Sequence, residues 1–83
     1  MQLENWLKST EFDQDKKKYE TTVDAEVKNL VSQIFKNETY FIHWYTQEKP
    51  KELNGKTPYE HTLKQGLKYV KKTLNGLMNP PAT

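Results

Sequence analysis

The chain has 83 residues, of which 34% are hydrophobic and 12% aromatic, and its mean hydropathy is −1.03. A domain of this length buries only roughly 60 to 65% of its unfolded surface, so the aromatic side chains must supply much of the core. The formal net charge is only +2, which does not favour a dedicated nucleic-acid binder with a dense basic surface.

The chain contains no cysteine and no long apolar run. A disulfide framework, a thiolate nucleophile and a cysteine-based zinc site are therefore excluded. The first eight residues lack the regions of a secretory signal, and no apolar stretch reaches the ~18 residues that a membrane span needs. We expect a cytoplasmic protein with no membrane partner.

The N-terminal segment, residues 1–20, has few apolar anchors. Leu3, Trp6 and Leu7 lie at i, i+3 and i+4, which predicts a short helix. The rest of the segment is mostly polar and reads as either a loop or a weakly held helix. We expect the segment as a whole to be weakly ordered.

Two helices are predicted for the middle of the chain. The first shows the strongest amphipathic pattern, formed by Val23, Val27, Leu30, Val31, Ile34 and Phe35. Thr21 or Thr22 is expected to cap it, and Asn37 to end it and cap the next helix, from Glu38 to about Glu48. Pro50 follows and cannot continue a helix.

The second of these helices is unusually aromatic. Phe41 and Trp44 are expected in the core, which leaves Tyr40 or Tyr45 as exposed candidates for partner contact. Because aromatic residues cover more than half of its circumference, the helix is expected to be buried on more than one side.

A capping box begins the next short helix. Thr57 is the expected cap, Pro58 the first helical residue, and Glu60 reaches back to the cap. Leu63 is expected to contact the core, and Gly66 to end the helix in a left-handed conformation.

A last amphipathic helix is predicted from the spacing of Leu67, Val70, Leu74 and Leu77. Asn79 and the two prolines after it cannot continue this helix, so an extended tail is expected over residues 78–83. The sequence thus predicts an all-α fold, a compact small bundle of about four to five short helices. It forms a single domain over residues 1–83, with its helical core at residues 21–77.

No residue set carries catalytic or metal chemistry. The sequence has no spacing typical of a nucleophile with its base, of paired carboxylates or of metal ligands, and His43 and His61 lie far apart. The glycines form no phosphate-binding loop. We therefore predict a protein that is not an enzyme and needs no cofactor and no metal.

Four lysines are gathered by helical spacing at i, i+4, i+7 and i+8. They are Lys64, Lys68, Lys71 and Lys72. Such a face could contact phosphates or an acidic protein surface, or it could simply be solvated.

The second half of the chain resembles the toxin-binding domain of the MbcA/ParS/Xre antitoxin family. The resemblance spans about residues 34–77 and is carried by Phe35, Trp44, Pro50, the run Leu53-Asn54-Gly55-Lys56-Thr57-Pro58, Leu63, Gly66, Val70 and Leu74. It implies a compact helical domain, often dimeric, that covers the active site of a RES-type toxin acting on NAD, frequently with its C-terminal segment. The chain departs from the family pattern at Tyr45, where leucine is usual, and in its charged linker.

The leading hypothesis is therefore an antitoxin-like protein-binding module that neutralises a partner enzyme by covering its surface. The predicted contact residues lie on the last helix, its approach and the tail: Lys64, Lys68, Tyr69, Lys71, Lys72, Leu77, Met78 and Asn79. A small nucleic-acid-binding or transcription-regulating domain is the alternative, as is a phage or mobile-element inhibitor of a host defence enzyme. A homodimer is expected slightly more than a monomer.

Overall fold

A computed structural model describes residues 2–78, and these residues form helices and connecting turns with no strand. The all-α prediction is confirmed, with six α-helices in place of four or five because both N-terminal segments are helical. In chain order they are α1 (Leu3–Leu7), α2 (Thr10–Thr22), α3 (Ala25–Ile34), α4 (Glu38–Gln47), α5 (Pro58–Gln65) and α6 (Lys68–Met78), with a 3-10 turn at Lys51–Leu53 between α4 and α5.

The N-terminal helices supply part of the core. Residues 10–22 form α2. The sequence was compatible with either a loop or a weakly held helix in this segment. Trp6 of α1 and Tyr19 of α2 are both buried. The predicted core range of residues 21–77 is therefore too narrow, because these two large rings fill space that the few aliphatic side chains cannot.

Helix α3 is capped by Asp24, whereas the sequence predicts Thr21 or Thr22. Asp24 is the cap, and its carboxylate accepts a hydrogen bond from the Val27 backbone N–H at 2.9 Å. Thr21 and Thr22 belong instead to the last turn of α2, where their hydroxyls donate to carbonyls one turn earlier. Asn37 caps α4 as predicted.

Helix α4 lies at the centre of the molecule. Phe41 and Tyr45 stack with ring centroids 5.7 Å apart, and both are buried. Tyr45 was a candidate for exposure, and that prediction is wrong: its side chain is 0% exposed and its hydroxyl lies 2.9 Å from that of Thr22. Tyr40, the other candidate, is 56% exposed.

Helix α5 shows the predicted capping box in full. The Glu60 carboxylate accepts from the Thr57 N–H at 3.0 Å, and the Thr57 hydroxyl accepts from the Glu60 N–H at 3.1 Å. These bonds lower the pKa of Glu60. Pro58 is buried, whereas Leu63 is 60% exposed. The predicted core contact of Leu63 is therefore wrong. The buried residue of α5 is Pro58, at the start of the helix, and Leu63 lies on the exposed side.

Replacing Thr57 with alanine is expected to lower the free energy of unfolding by about 1 kcal/mol, because an N–H at the helix start loses its acceptor. Thr57→Ser retains the hydroxyl and should lose less than half as much. Urea denaturation followed by circular dichroism measures both. Equal losses in the two variants would contradict the assigned role of the hydroxyl.

Candidate functional site

An open groove of about 470 Å³ lies between the turn before α5, helix α5 itself and the start of α6. We call it the lysine groove. Its polar lining includes Glu52, Lys56, His61, Lys64, Lys68, Tyr69 and Lys72. Three of the four lysines predicted as one face, namely Lys64, Lys68 and Lys72, meet there.

Backbone turns bring these lysines together. Asn54 and Gly55 both have positive φ, at 55° and 84°, so the chain reverses before α5 and places Lys56 beside that helix. Gly66 has φ 79° and ψ −169°, a region that essentially only glycine occupies. It turns the chain from α5 into α6, so Lys64 and Lys68 line the same groove. The positive φ predicted for Gly66 is confirmed, although its ψ is not that of the left-handed helix.

Tyr69 forms the aromatic wall of the groove. Its ring stacks on Trp44 with centroids 6.3 Å apart and makes a T-shaped contact with His61 at 5.6 Å. Its hydroxyl donates to Glu52 at 3.1 Å. Burial, and then the nearby Glu52 carboxylate, raise the pKa of Tyr69. Trp44, a residue of the family pattern, thus holds the wall of the groove in place.

The lysines of the groove are not paired with any carboxylate of the described residues. Within the described residues 2–78, no ion pair within 4.0 Å involves Lys56, Lys64, Lys68 or Lys72, whereas Lys18, Lys28 and Lys71 are all paired. The Lys64 ammonium lies close enough to that of Lys56 to lower the pKa of Lys56. The groove is therefore a local excess of positive charge.

Lys71, the fourth predicted lysine, forms ion pairs with helix α3 and its cap and does not line the groove. Its ammonium lies 2.6 Å from the Glu26 carboxylate and 3.1 Å from that of Asp24. Its prediction as a residue of one lysine face is wrong, because helix α6 turns Lys71 toward the start of α3. Glu26, and then Asp24, raise the pKa of Lys71, while the Val27 N–H and then Lys71 hold the pKa of Asp24 below its usual value.

Lys71→Met is expected to lower the melting temperature slightly at about pH 7 and to have little effect at the extremes of pH. A raised lysine pKa contributes stability below its unfolded value of about 10.5, and this stability is lost as pH rises through the folded pKa. A lowered aspartate pKa contributes above about 3.8 and is lost as pH falls through the folded value. Melting curves of both proteins from about pH 3 to 11 test this, and a difference that does not vary with pH would contradict it.

The predicted contacts at the end of α6 lie apart from the groove lining. Leu77 is 57% exposed and Met78 is 40% exposed, so both are accessible apolar side chains. Met78 was expected in the extended tail, but it is the last residue of α6. Asn79 and the rest of the predicted tail, residues 79–83, lie outside the described residues. The structure therefore joins Lys64, Lys68, Tyr69 and Lys72 in one site but does not add Leu77 or Met78 to it.

Sequence reasoning missed six residues of the groove lining, of which Glu52, Lys56 and His61 have titratable side chains. Lys56 and His61 lie on either side of the predicted capping box, so their closeness to Lys64 followed from elements already predicted. Glu52 gave no sequence signal, because its place in the groove depends on the 3-10 turn at Lys51–Leu53.

The described part of the chain contains no group of three or more His, Cys, Asp or Glu residues placed to hold a metal ion. His43 packs against Trp6 with ring centroids 5.1 Å apart, and His61 packs against Tyr69. Between residues 2 and 78, no helix is long and apolar enough to cross a membrane.

Comparison with protein-family models, with characterised proteins and with solved structures finds no match to this chain. The resemblance to the antitoxin domain therefore stays a prediction from the sequence.

Proposed function

We propose that this protein is a binding module that docks onto an acidic surface of a partner protein through the lysine groove. The observation that carries the proposal is that four lysines from three segments converge there without an ion pair to any described carboxylate. A partner that supplies carboxylates would offset the repulsion among these lysines, and such complementarity gives specificity and speeds association.

Two features favour a protein partner over nucleic acid. The net charge of +2 is small, so the chain lacks the large excess of basic residues typical of a dedicated nucleic-acid binder. The Tyr69 ring stacks on Trp44 and makes a T-shaped contact with His61. Because Trp44 covers one of its two faces, at most the other face is open to a base.

The more specific form of the proposal is an antitoxin-like module that covers the active site of an enzyme. Its support is the sequence resemblance, together with the positions of the pattern residues. Gly55, Thr57, Pro58 and Gly66 set the start and end of α5, and Trp44 supports Tyr69, so these residues shape the groove. Under this form, Leu77 and Met78 extend the contact along α6.

Co-expression with the product of the neighbouring gene, followed by affinity purification of the complex, tests the proposal. We expect an enzyme to co-purify in a silenced state, and Lys64→Glu/Lys68→Glu/Lys72→Glu to abolish the complex. The matched control, Lys8→Glu/Lys16→Glu/Lys17→Glu, makes the same change in charge on exposed residues and should leave the complex intact. Equal loss in both variants would contradict a specific groove.

Nucleic-acid binding is the second candidate, favoured by the position of Lys68 and Lys72 one helical turn apart on the groove. It predicts an affinity for DNA or RNA that falls steeply as salt is raised, by roughly one power of salt concentration per phosphate contacted. Fluorescence anisotropy at two salt concentrations measures this. Absence of binding at low salt would exclude it.

The remaining alternatives share the same surface. An inhibitor of a host defence enzyme would also act by covering a protein surface, so the identity of the captured enzyme separates it from an antitoxin. A homodimer would bury exposed apolar side chains such as Leu77, and light scattering of the purified protein determines the oligomeric state.

A further inference from the structure

The spacing of the groove lysines indicates a particular kind of ligand. We infer that the lysine groove takes an extended acidic peptide segment, with Lys56 and Lys64 on one carboxylate and Lys68 and Lys72 on those that follow. The inference rests on the proposed function and names the part of the partner that the groove recognises.

The geometry of α6 favours an extended segment. Residues four apart on a helix are about 6 Å apart along its axis, which separates Lys68 from Lys72. Alternate residues of an extended chain are roughly 6.6 Å apart and point to the same side. A peptide with acidic residues at alternate positions therefore presents its carboxylates in near register with these two lysines.

The pair Lys56 and Lys64 provides the other end of the site. The two residues lie on opposite sides of the capping box, which fixes the first turn of α5. Their ammonium groups are close enough for Lys64 to lower the pKa of Lys56, so a carboxylate placed between them relieves a repulsion that exists in the free protein. The Glu60 carboxylate also attracts Lys56, but the Thr57 N–H holds it at the start of α5, outside the groove lining.

Among residues 2–78, no ion pair has to break for a ligand to bind at the groove. Lys64, Lys68 and Lys72 are exposed and none is paired with a described carboxylate. The single acidic side chain in the lining, Glu52, already accepts from the Tyr69 hydroxyl. The charge at the groove therefore favours a negatively charged segment, and Glu52 opposes it.

The test is a titration of the full 15N-labelled chain with a glutamate octapeptide, followed by amide chemical shifts. We expect saturable shifts confined to residues 52–72, at millimolar to submillimolar affinity since exposed charge pairs each contribute little. A glutamine octapeptide should give none. Lys56→Met and Lys64→Met should each weaken binding about threefold, and Glu52→Gln should strengthen it.

Three results would overturn the inference. They are shifts of similar size around Lys16 and Lys17, tighter binding of a thymidine octanucleotide than of the glutamate octapeptide, and tighter binding of inorganic phosphate alone.

The outcome for the proposed function is separate: a partner protein whose capture depends on the groove lysines would sustain that function even if the octapeptide failed to bind. Conversely, octapeptide binding at the groove with a partner captured elsewhere would remove the function and leave the inference.

Discussion

Replacing Asp15 with alanine is expected to lower the free energy of unfolding by about 2 to 4 kcal/mol. Asp15 is only 2% exposed, and one of its carboxylate oxygens accepts from both the Trp6 indole N–H and the Gln47 amide, each at 2.7 Å. Lys18 lies 3.3 Å from the other oxygen. Alanine would leave the buried Trp6 indole N–H without its acceptor, and the Gln47 amide would keep only its longer bond to Glu11, at 3.3 Å.

This loss should be large relative to the total free energy of unfolding. A domain of this length has a total stability of roughly 4 to 12 kcal/mol, so the variant would lose a substantial fraction of it. Asp15→Asn keeps one oxygen as an acceptor and should lose about half as much. Chemical denaturation monitored by Trp fluorescence measures both variants.

A matched control is Asp13→Ala, which removes the same group from an exposed position of the same helix. It should change the free energy of unfolding by less than about 0.5 kcal/mol. If Asp15→Ala were as stable as Asp13→Ala, the bonds of Asp15 to Trp6 of α1 and Gln47 of α4 would not contribute to stability.

Reversing three groove charges, in Lys64→Glu/Lys68→Glu/Lys72→Glu, is expected to raise the Kd for the partner protein at least about thirtyfold, or roughly 2 kcal/mol. Each substitution removes an attraction to the acidic partner and adds a repulsion. Because none of the three lysines forms an ion pair in the described part of the chain, the fold should be retained. Isothermal titration calorimetry measures the Kd, and circular dichroism checks the fold.

Single substitutions then apportion the effect. Lys71→Glu provides the internal contrast, because this lysine is paired with Asp24 and Glu26 and lies outside the groove lining. It should lower stability and leave the Kd nearly unchanged. If Lys71→Glu weakened binding more than Lys68→Glu, the interface would lie on the side of α6 that faces α3, away from the groove.

Local sequence patterns predicted most of the helices correctly. The cap at Asn37, the capping box at Thr57 and the positive φ of Gly66 each depend on residues within one helical turn, so they could be found without the fold. The cap of α3 was assigned to Thr21 or Thr22 because α2 was not firmly expected. Once α2 extends to Thr22, the next available carboxylate, Asp24, becomes the cap.

Burial was harder to predict than helix formation. Tyr45 was a candidate for exposure and is buried, whereas Leu63 was expected in the core and is exposed. The burial of each side chain depends on which helices surround it. Tyr45 lies where α4 is enclosed, close to Thr22 of α2 and Tyr59 of α5, whereas Leu63 lies on the outer side of α5. The buried Asp15 gave no signal, since an aspartate in a polar stretch ordinarily faces solvent.

The candidate site shows the same limit. Helical spacing grouped Lys64, Lys68, Lys71 and Lys72 as if one continuous helix carried them. Gly66 separates α5 from α6, so the faces of the two helices no longer coincide and Lys71 turns away. Lys56 joined the groove through the turn at Asn54 and Gly55, which periodicity does not describe.

Lysine footprinting of the complex tests the central claim most directly. The free protein and its complex with the captured partner are treated briefly with an amine-acylating reagent, and mass spectrometry gives the modification at each lysine. We predict strong protection of Lys56, Lys64, Lys68 and Lys72, with no change at Lys16 or Lys17. Protection at Lys16 and Lys17 with an unchanged groove would contradict the account.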